Sequence, residues 1–433
     1  EFAYNEVFGQ CIVKMISCSD DFVERVKTLE DLNQVSADIR RSDLTEQQIV
    51  SEQGSILNIK EIMDDMGVSK PMLVCNDTYD ELPVQHIFDF YGISIVRFQL
   101  GGSNAIFEDV VKGKELFLSM GGKSTINTAK CIKLYLPVDT SDNNHEKEFK
   151  YSPIKHIAIP TEICLGMEST DYAQINCGNE KIRISHDSIL PEYVILDANL
   201  TRLQAFDKKK ALFFESMCHC IESMWSLNSD EKSYHYAKSG LKKMVSKMSS
   251  YFNSSIPATR HVMNAVNLTA RAIDITKTNI ISSISYVLAS ELSIENGHAA
   301  MICLPAILRH IEKNVKTKVK SNNAKTDNWI INCKNTDALL NHVLDDLCSI
   351  FRVENIKQLC DLLSMLCFVA GFSVPQSLDT NRILIDKIDH SGFPVNIDRK
   401  SLESIFNDIN SGSQTTDDLH IIYILSKMWG QLP

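Results

Sequence analysis

The sequence predicts two halves of different class, an α/β half built on a parallel sheet and then an all-helical half. Three observations carry that expectation. From Pro71 short apolar runs, MLVCN, ISIVRF, ELFLSM, HIAIP and YVILD, alternate with helical patterns, as parallel strands covered by helices do. After Leu200 such runs stop, and long segments with helical apolar spacing carry the remainder. At 433 residues the chain is too long for one ordinary core. The boundaries read from these shifts are 1–69, 70–200 and 201–433.

The first of these segments is charged and helix-patterned, as in FVERVKTLEDLNQVSADIRRSDLTEQQIVSE, and is expected to be a helical extension or the tail of a preceding domain. Within 70–200 the informative stretch is Ser119 to Lys130, SMGGKSTINTAK, which puts a glycine pair after a β-rich run and before a helix. Backbone N–H groups in such a turn point at an anion, and the helix adds its positive dipole end. It is not a Walker A loop, since Phe117 stands where the first glycine is needed, and no later glycine completes a G-x-G-x-x-G fingerprint. The all-helical segment, 201–433, holds Glu215 and His219 four residues apart, on one helix face.

Composition narrows the classes further. A net charge of −11 argues against non-specific nucleic-acid binding. No apolar run is long enough to span a bilayer, so no membrane partner is expected. The 13 cysteines are odd in number and irregularly spaced, with the one C-x-C, Cys218-His219-Cys220, inside a helical pattern. Reduced thiols in a cytoplasmic protein are the simpler account.

The loop SMGGKSTINTAK resembles the cofactor loop of the iron-dependent alcohol dehydrogenases, G-G-G-S-x-x-D-x-A-K. Gly121, Gly122, Ser124, Ala129 and Lys130 match, while Lys123 replaces the third glycine and Asn127 the aspartate. HIAIPTEICLGMEST resembles the same family's I-P-T-T-x-G-T-G-S-E loop, keeping Pro160, Thr161, Gly166 and Glu168. The motif order continues through PEYVILDANL, FESMCHCIESMWS, ARAIDITKTNIISSISY, NGHAAMICLP and the run from Ile388 to Asn407, so the resemblance covers about Lys70 onward. AKCIKLY, IESMWSLNSDEKS and the Ser285-Tyr286 pair are similar to the phosphonoacetaldehyde reductase branch. In the extension, VKTLEDLNQVSADI resembles the last helix of sugar-phosphate nucleotidyltransferases.

The resemblance implies a dehydroquinate synthase-like fold, in which an α/β nucleotide-binding domain and an all-helical domain flank a cleft. It places NAD(P) against Gly121, Gly122, Lys123, Ser124, Thr161 and Gly166. It places a divalent metal, iron or zinc, on an aspartate and three histidines, whose positions here are Glu215, His219, Ser282 and Asn296. A hydroxyl and an amide are poor transition-metal ligands beside imidazole, so half of that set is lost. His219 and Tyr286 are the implied catalytic residues, and Lys130, Lys133 and Arg271 the basic candidates for a phosphonate. Lys123 is expected either to pair with a phosphate or to block its site.

Two functions follow from the resemblance. One is an NAD(P)H-dependent reductase of a small aldehyde, phosphonoacetaldehyde-like. The other is a catalytically degenerate member with a structural or regulatory role, and a metal-independent activity in the same cleft stands between them. A small-molecule aldehyde or alcohol is the implied partner, with a homo-oligomer or a fused domain engaged through the N-terminal extension.

Overall fold

The computed structural model describes residues 47–75, 77–82, 84–94, 96–99, 116–135, 154–177, 180–314, 336–373, 388, 392–395, 397–410 and 423. The chain divides into one unit up to Leu203 and a second from Gln204.

Among the described residues, the first unit is built on a six-stranded sheet. Its strands are β1 (Gln48–Val50), β2 (Pro71–Cys75), β3 (Val96–Gln99), β4 (Leu116–Gly121), β5 (Lys155–Pro160) and β8 (Tyr193–Ile195), in the order β1-β8-β5-β4-β2-β3. Every pairing is parallel, with Met72 opposite Phe117 and Leu118 opposite Ile157. Strands buried on both faces are apolar throughout, which is why PMLVC and LFLSM carry no polar alternation. The period of two still sorts the side chains. Leu73, Cys75, Leu116, Leu118 and Met120 pack with Ile59, Ile62 and Met63 of α1 (Ile59–Asp65) and Val84 and Phe88 of α2 (Val84–Phe90). Met72, Val74 and Phe117 face Ala129 and Ile132 of α3 (Lys123–Tyr135) on the other side.

The expected strands at 71, 96, 116, 155 and 193 are therefore all present. The expected boundary at residue 69 is corrected: Gln48–Val50 pairs with Tyr193–Ile195, so the segment from 47 onward belongs to the sheet unit and only its charged helical pattern concealed the strand. Residues 1–46 of the predicted extension lie outside the described residues. An antiparallel hairpin, β6 (Tyr172–Cys177) with β7 (Glu180–Ser185), is an addition that the sequence reading did not anticipate.

The second unit is helical among the described residues. Its helices are α4 (Phe206–Trp225), α5 (Glu231–Phe252), α6 (Ile256–Thr276), α7 (Ile280–Leu292), α8 (Asn296–Asn314), α9 (Thr336–Phe351), α10 (Ile356–Ala370) and α11 (Arg399–Asn410). Local chemistry fixes their starts. Asp230 and Ser233 form a reciprocal capping box on α5, Ser255 with Pro257 opens α6, and Asn355 accepts the Gln358 N–H at 3.0 Å on α10. Helix α4 is the centre, buried from Ala211 to Trp225 and in contact with α5, α6, α7, α8 and α9. No helix among the described residues is long and apolar enough to cross a membrane.

Helix α8 carries Pro305 in its interior, and proline has no N–H for the carbonyl four residues back, that of Met301. Cys367 of α10 supplies the missing donor, its thiol reaching Met301 O at 3.3 Å, and Cys360 two turns earlier reaches Pro305 O at 3.7 Å. Burial pushes both thiols up to about 12, which keeps them protonated donors rather than reactive thiolates. We expect Cys367→Ala to lower the unfolding free energy by about 1–3 kcal/mol, the cost of stranding a buried carbonyl. Cys367→Ser, which keeps a donor, should lose less when the two are compared by urea titration.

Candidate active site

In the first unit, the β4–α3 turn lies at the carboxyl end of β4, beside the place where the strand order reverses between β2 and β4. Open α/β sheets bind ligands at that switch point. Gly121 ends β4, Lys123 is the first residue of α3, and Ser124 is exposed in its first turn. Thr161, just past β5, donates its N–H to Gly121 O at 3.1 Å, so the two loops of the implied cofactor site do meet. Gly166 adopts φ 74° and opens the short 3-10 turn Met167–Ser169.

That second loop is packed down rather than open. Ile163, Cys164, Leu165 and Met167 are all buried, and Cys164 and Met167 cluster with Ile126 of α3 and Tyr172 of β6. Lys130 holds the loop from beneath: its fully buried ammonium donates to Met167 O, to Thr170 O at 2.7 Å and Oγ1 at 3.0 Å, and to Tyr172 O at 2.9 Å. Lys133 is buried as well and donates to Glu192 Oε1 at 2.8 Å; burial lowers its pKa and Glu192 partly restores it. Both lysines are thus spent inside the unit, which removes them as phosphonate candidates. His156, buried with its Nε2 at 2.7 Å from Ser119 Oγ, is kept neutral first by burial and then by Lys133 and Lys130.

The placement of one side chain in this loop, Glu162, was not legible in the sequence. A Cβ built on Gly122 would lie 1.9 Å from Glu162 Oε1 and 2.5 Å from its Cδ. The carboxylate rests on the glycine that precedes α3, the position at which a phosphate oxygen would need the backbone bare. The glycine cradle fits a diphosphate, on condition that this flexible side chain swings aside.

In the second unit, α4 places Glu215 and His219 on one buried face, as their spacing predicts. Gly297 brings the start of α8 against α4 at Ala211, one turn before Glu215: a Cβ there would lie 1.8 Å from Ala211 O, so only glycine allows the approach. Asn296 is the first residue of α8, and half-buried Tyr286 follows Ser282 by one turn on α7. His298 lies instead against Phe372, ring centroids 4.7 Å apart, and its Nε2 bonds Ser373 O at 2.9 Å.

Ser282 is committed elsewhere. Its hydroxyl donates to Glu222 Oε1 and its N–H to Glu222 Oε2 at 3.2 Å, while the Asn279 N–H reaches the same oxygen at 3.2 Å. Glu222, one turn after His219 on α4, was missed by the sequence reading and accepts backbone N–H groups at the start of α7, whose N-cap is Asn279. Burial raises its carboxyl from 4.5 to about 7, against the lowering effect of these bonds. Among the described residues, no three His, Cys, Asp or Glu side chains converge as a metal site. Glu215 and His219 with a committed serine and an amide do not fit a transition-metal site.

The sign of the Glu222 effect follows from linkage. A carboxyl whose folded pKa is raised holds its proton more tightly when folded, so its contribution is complete below pH 4.5 and is lost as pH rises towards about 7. Glu222→Gln should remove that fall in stability, so the difference between native and variant melting temperatures should shift in favour of the variant between pH 5 and pH 8. A pH series of thermal melts measures it.

Residues 46–198 match the family model described as iron-containing alcohol dehydrogenase. No curated protein sequence matches the chain. Among solved structures, the chain is similar to an iron-containing alcohol dehydrogenase from Thermococcus thioreducens, with TM-score 0.67 and 16% identity over 85% of this chain and 99% of that one. It is similar also to the sulfoacetaldehyde reductase of Bifidobacterium kashiwanohense in complex with NAD+, with TM-score 0.61 and 17% identity over 85% and 98%. A third is the maleylacetate reductase of Agrobacterium tumefaciens, with TM-score 0.57 and 16% identity over 86% and 97%. The chain therefore has the fold of the iron-containing alcohol dehydrogenases, with that family's sequence signature on its α/β unit.

Proposed function

We propose that the chain reduces a small two-carbon aldehyde with an anionic head group, of the phosphonoacetaldehyde kind, using NAD(P)H. The glycine cradle at the β4–α3 turn, placed at the sheet's switch point, carries this reading. The similarity to a sulfoacetaldehyde reductase supports the substrate class, since sulfonate and phosphonate heads differ little in shape. A bound nicotinamide would supply the hydride. Gly122 would leave backbone room for its diphosphate once the Glu162 carboxylate swings aside, and the N-terminus of α3 favours the negative charge. His219, held on the buried face of α4, or Tyr286 one turn beyond Ser282, polarises the carbonyl oxygen and supplies the proton that turns it into an alcohol.

A second reading is favoured by one specific observation, the bond from Ser282 to Glu222. It commits a former ligand position to structure, as a non-catalytic member acting as a structural or regulatory partner would allow.

The two readings separate in a nicotinamide absorbance assay with phosphonoacetaldehyde and sulfoacetaldehyde, run with and without a chelator. The reductase reading expects chelator-insensitive turnover, lowered about 100-fold by His219→Ala, the usual weight of a general acid. Absence of turnover with NADH and NADPH alike would favour the second.

A further inference from the structure

We propose that Glu162 is an internal competitor for the anion position at the start of α3, and that it sets the affinity of this chain for a dinucleotide diphosphate. The inference rests on the reading of that turn as the cofactor cradle. Its physical basis is the placement of the Glu162 carboxylate over Gly122, where a Cβ would meet Oε1 at 1.9 Å, Cδ at 2.5 Å and Cγ at 3.2 Å. Three atoms of the side chain thus fill the space that the glycine leaves open. A carboxylate at a helix N-terminus is favoured by the dipole for the same reason as a phosphate, so the two compete for one place.

The anchoring of Glu162 makes the competition effective. Its neighbour Thr161 is hydrogen-bonded to Gly121 through the backbone, and Ile163 and Cys164 after it are buried. The backbone carrying the carboxylate is therefore fixed, and only the side chain is left to move. A diphosphate entering the cradle meets both the occupied volume and a like charge. If the carboxylate sits there for about nine-tenths of the time, the apparent affinity falls about tenfold.

Calorimetric titration of ADP-ribose and of inorganic pyrophosphate into the native chain, Glu162→Ala and Glu162→Gln tests this. Glu162→Ala should bind ADP-ribose about tenfold tighter or more than the native chain. Glu162→Gln, which keeps the volume and loses the charge, should fall between them and carries the comparison if the alanine variant melts early. Pyrophosphate should follow the same order. Binding by Glu162→Ala that is no tighter than native binding, including no binding by either, overturns the proposal. Lack of aldehyde turnover in the assay above would instead count against the reductase reading, because the ADP-ribose comparison does not depend on chemistry.

Discussion

The second unit is tied together at its centre by the buried carboxyl group of Glu222. Glu222, fully enclosed on α4, accepts the Ser282 hydroxyl and the backbone N–H groups of Asn279 and Ser282, and so ties the central helix to the first turn of α7. Around it Asn279 returns its amide to Glu222 O at 3.0 Å and accepts the Trp225 indole N–H at 3.2 Å, while Thr276 donates to Ser223 Oγ at 3.0 Å. Burying a carboxylate is costly unless its lone pairs are used, and here helix-end donors use them. This arrangement decides what Ser282 can do, since its hydroxyl proton already points at Glu222.

The first unit follows the same rule with the charges exchanged. Lys130 and Lys133 are buried cations, and each is satisfied internally, one by the loop from Met167 to Tyr172 and the other by Glu192. Glu192 also accepts the His156 N–H at 2.7 Å, which joins the ion pair to β5. The charged groups around the cradle thus shape the loops that form it, while the anion position itself is met by Glu162. What binds there is decided by how readily a flexible side chain yields, rather than by whether the glycine turn exists.

The sequence revealed the elements whose signals are local. Five apolar runs were read as strands because burial on both faces of a parallel sheet makes them uniformly hydrophobic, and Glu215 with His219 shared a helix face because they are four residues apart. What stayed hidden depends on partners distant in the chain. Gln48–Val50 is a strand only because Tyr193–Ile195 lies beside it, and its three residues sit in a charged pattern that reads as helix. Glu162 was visible as a departure from the family loop, but nothing local says that its carboxylate reaches back to Gly122. Lys130 and Lys133 stood as candidates for a phosphonate because a lysine's carbonyl or carboxylate partner is set by tertiary packing. Glu222 sits one turn past His219 in IESMWS, and its burial and its partners on α7 are set by tertiary packing.

We propose that the buried polar residues of the helical unit, Glu222 and Ser282 among them, hold the fold together and bind no metal ion. Elemental analysis by mass spectrometry, on protein purified without chelators and then dialysed against iron or zinc, tests it most directly. The account predicts far less than one ion per chain. One tightly held ion per chain, lost together when Glu215 and His219 are replaced by alanine, would contradict it.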